Sequence, residues 1–95
     1  MNLSDGQKEK MTAYEIPQHM HSALIRYFDD RIAPGDFLSA VIDNDLKEAC
    51  GHADSMNRHC LFAYMRWFYN EAPTGSWGYA GAVKDWINRG PDDEI

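Results

Sequence analysis

The chain has 95 residues, 44% hydrophobic and 13% aromatic, and a formal net charge of −6 from 15 acids and 9 bases. That length predicts one domain, and the aromatics give a short chain large rings to bury. Scattered bases in an acidic chain disfavour general nucleic-acid binding, which draws on clustered Lys and Arg, and no run is apolar enough for a transmembrane helix.

The opening "MNLSDGQKEKMTAYE" is polar and lacks the apolar core of a signal peptide. The expected location is therefore the cytoplasm, where Cys50 and Cys60 stay reduced. Residues 1–13 read as a flexible polar leader. A single helical domain is expected over 14–90, and "PDDEI" (91–95) reads as an acidic tail after Gly90.

The first helix is predicted in "YEIPQHMHSALIRYFDDRI". Pro17 suits a first turn, Met20, Leu24, Tyr27, Phe28 and Ile32 share one face, and Pro34-Gly35 ends it. The second segment, "GDFLSAVIDNDLKEACGHA", has Asp36 as an N-cap and an apolar stripe through Phe37, Leu38, Val41, Ile42, Leu46, Ala49 and Cys50. Asp43-Asn44-Asp45 interrupts that stripe, so two short helices with a kink at Asn44 are expected. Asp45 and Glu48 have capping-box spacing.

The third segment, "DSMNRHCLFAYMRWFYNEA", is apolar on several sides and reads as the central helix, capped by Asp54 or Ser55 and ended by Pro73 and Gly75. The last, "YAGAVKDWINRG", puts Tyr79, Val83, Trp86 and Ile87 on one side. No stretch alternates as a strand would. The expected fold is all-α: a compact bundle of three main helices plus a short C-terminal helix.

Several groups invite a chemical reading. Cys50, His52, His59 and Cys60 are zinc-ligand types, but their spacing lacks the paired elements of a tetrahedral site. His19 and His21, two apart, do not share a helix face. "DNDLKE" is not a calcium-binding loop, and its aspartates fit caps. "GSWGYAG" has glycines but no preceding strand and no Lys-Ser/Thr, so it is not a phosphate cradle. No catalytic motif stands out, so the expectation is a non-enzyme without cofactor or metal. Arg58 and Arg66 beside Tyr64, Trp67 and Tyr69 suit a stacked base or a partner anchor, and also a plain core with a solvated rim.

"PGDFLSAVIDNDLKEACGHAD", Asn57, "YNEAPTGSWG" and "VKDWI" together resemble a group of small proteins encoded by bacteriophages and prophages. The likeness spans about residues 16 to 87. It implies an accessory phage product in the bacterial host cytoplasm and carries no catalytic residues.

The candidate partner- or ligand-binding set is Asn44, Asp45, Asp54, Asn57, Arg66, Tyr69, Asn70 and Trp77. The first four flank one inter-helix connection, and if they converge they form a polar pocket. Tyr69, Asn70 and Trp77 would be its aromatic wall. The leading expectation is a phage interaction protein that binds and blocks a host protein, as anti-CRISPR inhibitors do. The alternatives are a small-ligand or cyclic-nucleotide sponge, and a helical adaptor in phage gene expression. The aromatic-rich third helix also suits a homodimer. In "NEAPTGSWGYAGAVKDW" (70–86) the exposure of Trp77 separates a lid over the core from a partner contact.

Overall fold

The computed structural model describes residues 3–89. In chain order they form α1 (Asp5–Ala13), a 3-10 turn (Gln18–Met20), α2 (His21–Asp30), α3 (Asp36–Ile42), α4 (Leu46–His52), α5 (Ser55–His59), α6 (Leu61–Glu71) and α7 (Ala82–Arg89). Among the described residues every regular element is helical. The expected acidic tail and the Gly90 stop lie outside them.

The expected count of three main helices plus one short one is not matched, because two segments break and a further helix precedes them. The second segment splits at Asn44, which takes the left-handed conformation with φ 61°. Asn tolerates that region better than most residues. Asp45 N–H then donates to Ala40 O at 2.8 Å, and the Asp45 carboxylate caps α4 by accepting from Glu48 N at 3.2 Å. An Asn44→Val variant should lose about 1–2 kcal/mol, because a β-branched side chain is strained at positive φ. Asn44→Gly should be close to neutral. Urea unfolding of the pair checks this.

The third segment is also two helices. Asp54 caps α5 by accepting from Asn57 N at 2.7 Å, and Cys60 falls out of helical geometry at φ −112°, ψ 11°. α6 stops at Glu71 because Ala72 precedes Pro73 and is pushed to extended backbone (φ −68°, ψ 143°).

The polar leader expected over 1–13 is largely helix α1. Ser4 and Gln7 form a reciprocal capping box, with Gln7 N donating to Ser4 Oγ at 3.1 Å and Ser4 N to Gln7 Oε1 at 2.7 Å. Apolar burial here is thin, Leu3 and Met11 only. Directed hydrogen bonds do the rest. Leu3 N donates to Asp29 Oδ1 at 2.7 Å, Gln7 Nε2 to Glu71 O at 2.6 Å, and Trp67 Nε1 to Gln7 O at 2.9 Å. α1 is thus strapped to α2 and α6.

Two further corrections concern helix ends. α2 ends at Asp30 and Arg31 turns left-handed (φ 60°). That reversal throws Ile32 off the stripe, leaving it 49% exposed, and buries Arg31 instead. The Arg31 guanidinium lies 3.6 Å from the Trp86 ring centroid, an attractive cation–π placement. The N-cap of α3 is Gly35, with Asp36 as its first helical residue.

The core centres on Phe28. Its ring meets Tyr27 at 5.0 Å, Trp67 at 5.5 Å, Phe68 at 6.0 Å and Trp86 at 6.3 Å. The polar ends are satisfied: Tyr27 OH donates to Ser76 O at 2.9 Å, and Trp86 Nε1 to Tyr27 O at 3.0 Å. The corner after α6 turns at Gly75 (φ 83°) and Gly78 (φ 93°), where positive φ favours glycine. Gly78 N donates to Ile42 O at 2.7 Å, which docks the corner on the end of α3. Asp43 Oδ1 accepts from Val83 N at 2.8 Å and so caps α7 across 40 residues of chain. Tyr79, expected on α7, precedes it and is partly exposed, donating to Asp85 Oδ2 at 3.2 Å.

Candidate interaction surface

α6 positions the candidate surface. Tyr64, Trp67 and Phe68 face the core. The residues on the other side of the helix, Phe62, Arg66, Tyr69 and Asn70, are left in water. Phe62 and Tyr69 are seven apart, two turns along one flank. They are 74% and 83% exposed.

At the C-terminal half of this flank the corner supplies Trp77. Its ring stacks on Phe68 at 5.3 Å with the planes 24° apart, and Tyr69 meets it edge-on at 6.3 Å. Trp77 is half-buried, so it is both things the sequence left open: packed against the core below and open to a partner above. Asn70 Nδ2 donates to Arg66 O at 2.8 Å, which holds its side chain along α6. The Arg66 guanidinium carbon lies 5.0 Å from the Tyr14 ring centroid at the end of α1.

At the N-terminal half a groove of about 240 Å³ runs between α3–α4 and α6. Ala40, Val41 and Ala49 line it on one side, and Leu61 and Met65 on the other. Leu46 and Phe62 stand at it, both largely exposed. Asn44 and Asp45 are its polar members.

The expected polar pocket of Asn44, Asp45, Asp54 and Asn57 does not form in this groove. Asn44 and Asp45 line it, and Asp54 and Asn57 do not. Asn57 is buried, and its Oδ1 accepts from Tyr64 OH, whose ring packs edge-on to Phe37. Burial pushes the Tyr64 hydroxyl far above its ordinary pKa, so it stays a donor. Asp54 is exposed and carries out its cap. The Asn57 backbone N–H, with His19 3.4 Å away, holds its carboxyl below the usual carboxylate range. Asp54 and Asn57 are therefore bonded within the fold, while Tyr69 and Trp77 converge and Arg66 and Asn70 sit on the neighbouring crest.

The zinc-type residues are dispersed. Cys50 is exposed and Cys60 half-buried, both are free thiols, and His52 pairs with Glu48 at 3.4 Å. Among the described residues no group of three or more His, Cys, Asp or Glu is placed to hold a metal ion. Nor, among them, is any helix long and apolar enough to cross a membrane.

The groove was not anticipated from sequence. Leu46 fits the apolar stripe of its segment, and Met56 and Met65 belong to a segment apolar on several sides, yet Leu46 and Met56 are exposed and Met65 lines the groove. Phe62 carried the available signal: it lies off the stripe through Leu61, Tyr64, Met65 and Phe68, so a helix puts that ring outward. No protein-family model, no curated protein and no solved structure matches this chain.

Proposed function

We propose that this chain is a small phage-encoded interaction protein that binds and blocks a host protein, as anti-CRISPR inhibitors do, with the Tyr69–Trp77 corner as its contact. The observation that carries this reading is the built form of that corner. Trp77 rests on Phe68, a core ring, and presents its outer side with the 83% exposed Tyr69 against it. Aromatic rings already held in place lose little freedom on binding, and they dominate interface hot spots together with arginine. Arg66 and Asn70 supply the polar rim. The homodimer suited by the aromatic-rich third helix belongs to the same reading, with α6 as its contact. The likeness to phage accessory proteins supplies the context of a bacterial host.

A cyclic-nucleotide sponge would gather Asn57, Arg66, Tyr69, Asn70 and Trp77 around one ligand. Asn57 is buried against Tyr64, and the groove beside the corner carries the acidic Asp45, which repels phosphate. A partner protein fits this surface better.

Tyr69→Ala should keep the fold, since an exposed ring contributes within about 0.5 kcal/mol. It should weaken partner binding by about 2 kcal/mol, roughly thirtyfold. Parallel pull-downs from bacterial host lysate with wild type and Tyr69→Ala, read by mass spectrometry, are the check. A host protein enriched by the wild type and lost by the variant supports the contact. Equal recovery by both, or no enrichment across several hosts, contradicts it.

A further inference from the structure

We propose that the partner segment taken by the Tyr69–Trp77 corner is an extended, proline-rich stretch in the polyproline conformation, with an acidic residue beside its prolines. The inference rests on the reading of that corner as the protein contact and names the chemistry of what it holds.

Unused hydrogen-bond donors lead there. Of the three tryptophans, two bond their indole N–H inside the fold: Trp67 Nε1 donates to Gln7 O at 2.9 Å and Trp86 Nε1 to Tyr27 O at 3.0 Å. Trp77 differs. Among the described residues nothing accepts from its indole N–H, and that nitrogen is not shut away from water. The Tyr69 hydroxyl is likewise unbonded among them. Nor does any described carboxylate pair with Arg66, whose guanidinium rests on the Tyr14 ring. The surface therefore offers an indole N–H, a hydroxyl and a guanidinium, all of them donors.

A donor surface selects among peptide backbones. A helix has its carbonyls bonded to its own N–H groups, so it leaves these donors unmet. A β-strand docks by extending a sheet edge, and every regular element among the described residues is helical. A polyproline segment has no internal hydrogen bonds, and each proline carries a carbonyl and no N–H. It brings acceptors without donors of its own to satisfy.

The rings fit the same occupant. Trp77 is held by its stack on Phe68, and Tyr69 stands at 67° to it with the centroids 6.3 Å apart. Two walls at that angle form a corner in which one pyrrolidine ring touches both. Aromatic surfaces take proline-rich segments in this way because the preformed backbone loses little freedom on docking.

Charge supplies the acidic residue. Arg66 precedes Tyr69 on α6 by one helical turn, about 4.5 Å of rise. A carboxylate beside the prolines pairs with it, and a lysine there is repelled. The nearby Glu71 carboxylate is already held by Lys10 at 3.6 Å. The overall charge of −6 opposes an acidic segment only weakly, because at physiological salt charges more than about 8 Å apart are screened.

Titration of the isotope-labelled full chain with three synthetic peptides, followed by NMR, tests the proposal. One has eight prolines flanked by aspartates, one has eight prolines flanked by lysines, and one has eight alanines flanked by aspartates. The readout is the Trp77 indole N–H resonance, assigned by its absence from Trp77→Phe. The aspartate-flanked proline peptide should move it with half-saturation below about 1 mM. The lysine-flanked peptide should bind about two- to fivefold more weakly, and the alanine peptide should leave the resonance in place. Tyr69→Ala should abolish the shift over the same range. Trp77→Phe, read at the Tyr69 backbone amide, keeps a ring on Phe68 and loses one donor, and should bind about fivefold more weakly. Arg66→Glu should invert the preference between the two proline peptides. No shift with either proline peptide, equal binding of the alanine peptide, or a charge preference that survives Arg66→Glu overturns the proposal. A flat titration beside a Tyr69-dependent host capture overturns the proline chemistry and leaves the host contact standing. Peptide binding beside an empty host capture upholds the proline chemistry and counts against the host partner alone.

Discussion

Trp67→Ala is expected to lower stability by about 3–5 kcal/mol, which for a domain of this size lowers Tm by at least about 12 °C. Trp67 is fully buried, packs on Phe28 at 5.5 Å and Phe68 at 5.5 Å, and its indole N–H donates to Gln7 O at 2.9 Å. Truncation therefore opens a cavity in the ring cluster and also cuts the strap to α1. Trp67→Phe separates the two: it keeps most of the ring area and leaves Gln7 O without this donor, at about 1 kcal/mol. Urea unfolding measures both. A loss below about 1 kcal/mol for the alanine variant would mean that the rings do not pack as described.

Met11→Ala is the second large effect, at about 2–5 kcal/mol. Met11 is fully buried although it lies in a polar helix. Were residues 1–13 a loose leader, the substitution would change stability by less than about 0.5 kcal/mol, as at an exposed site. Removing residues 1–13 altogether should be worse still. It exposes the Trp67 surface under α1 and deletes the hydrogen bonds of Leu3 to Asp29 and of Gln7 to Glu71. Loss of cooperative thermal unfolding in the truncated protein is the expected result, and an unchanged transition is the contrary one.

What could be read from sequence followed from periodicity and caps. The stripes of α2, α3 and α6 pointed to the all-helical class. Asn44 as a break, Asp45 and Asp54 as caps and Pro73 as a stop are all local effects, settled within a turn of chain. α1 escaped because its stripe is a single methionine. Its stability comes from bonds to Asp29 and Glu71, far along the sequence, although the Ser4–Gln7 capping pair was visible. Ile32 and Arg31 changed places because one left-handed residue reverses the faces that follow it, and periodicity carries no φ. For the surface, Tyr69 and Trp77 were legible as an aromatic pair at a corner. Their edge-on contact and the stacking of Trp77 on Phe68 were not, since both depend on Gly78 docking against Ile42. Asp54 and Asn57 do not line the groove with Asn44 and Asp45 because the same residue types that line pockets also cap helices, and these two are taken up by capping and by Tyr64. The groove went unseen because it exists only where α3–α4 meets α6.

The central claim, that the outer end of α6 with Trp77 contacts a host protein, is tested most directly by photo-crosslinking in host cells. A benzophenone side chain replaces Tyr69, and the same group at exposed Ser22 on α2 is the control. One host-protein adduct is expected from position 69 and none from position 22. Equal adducts from both positions, or an adduct at 69 with nothing but a second copy of this chain, would contradict it.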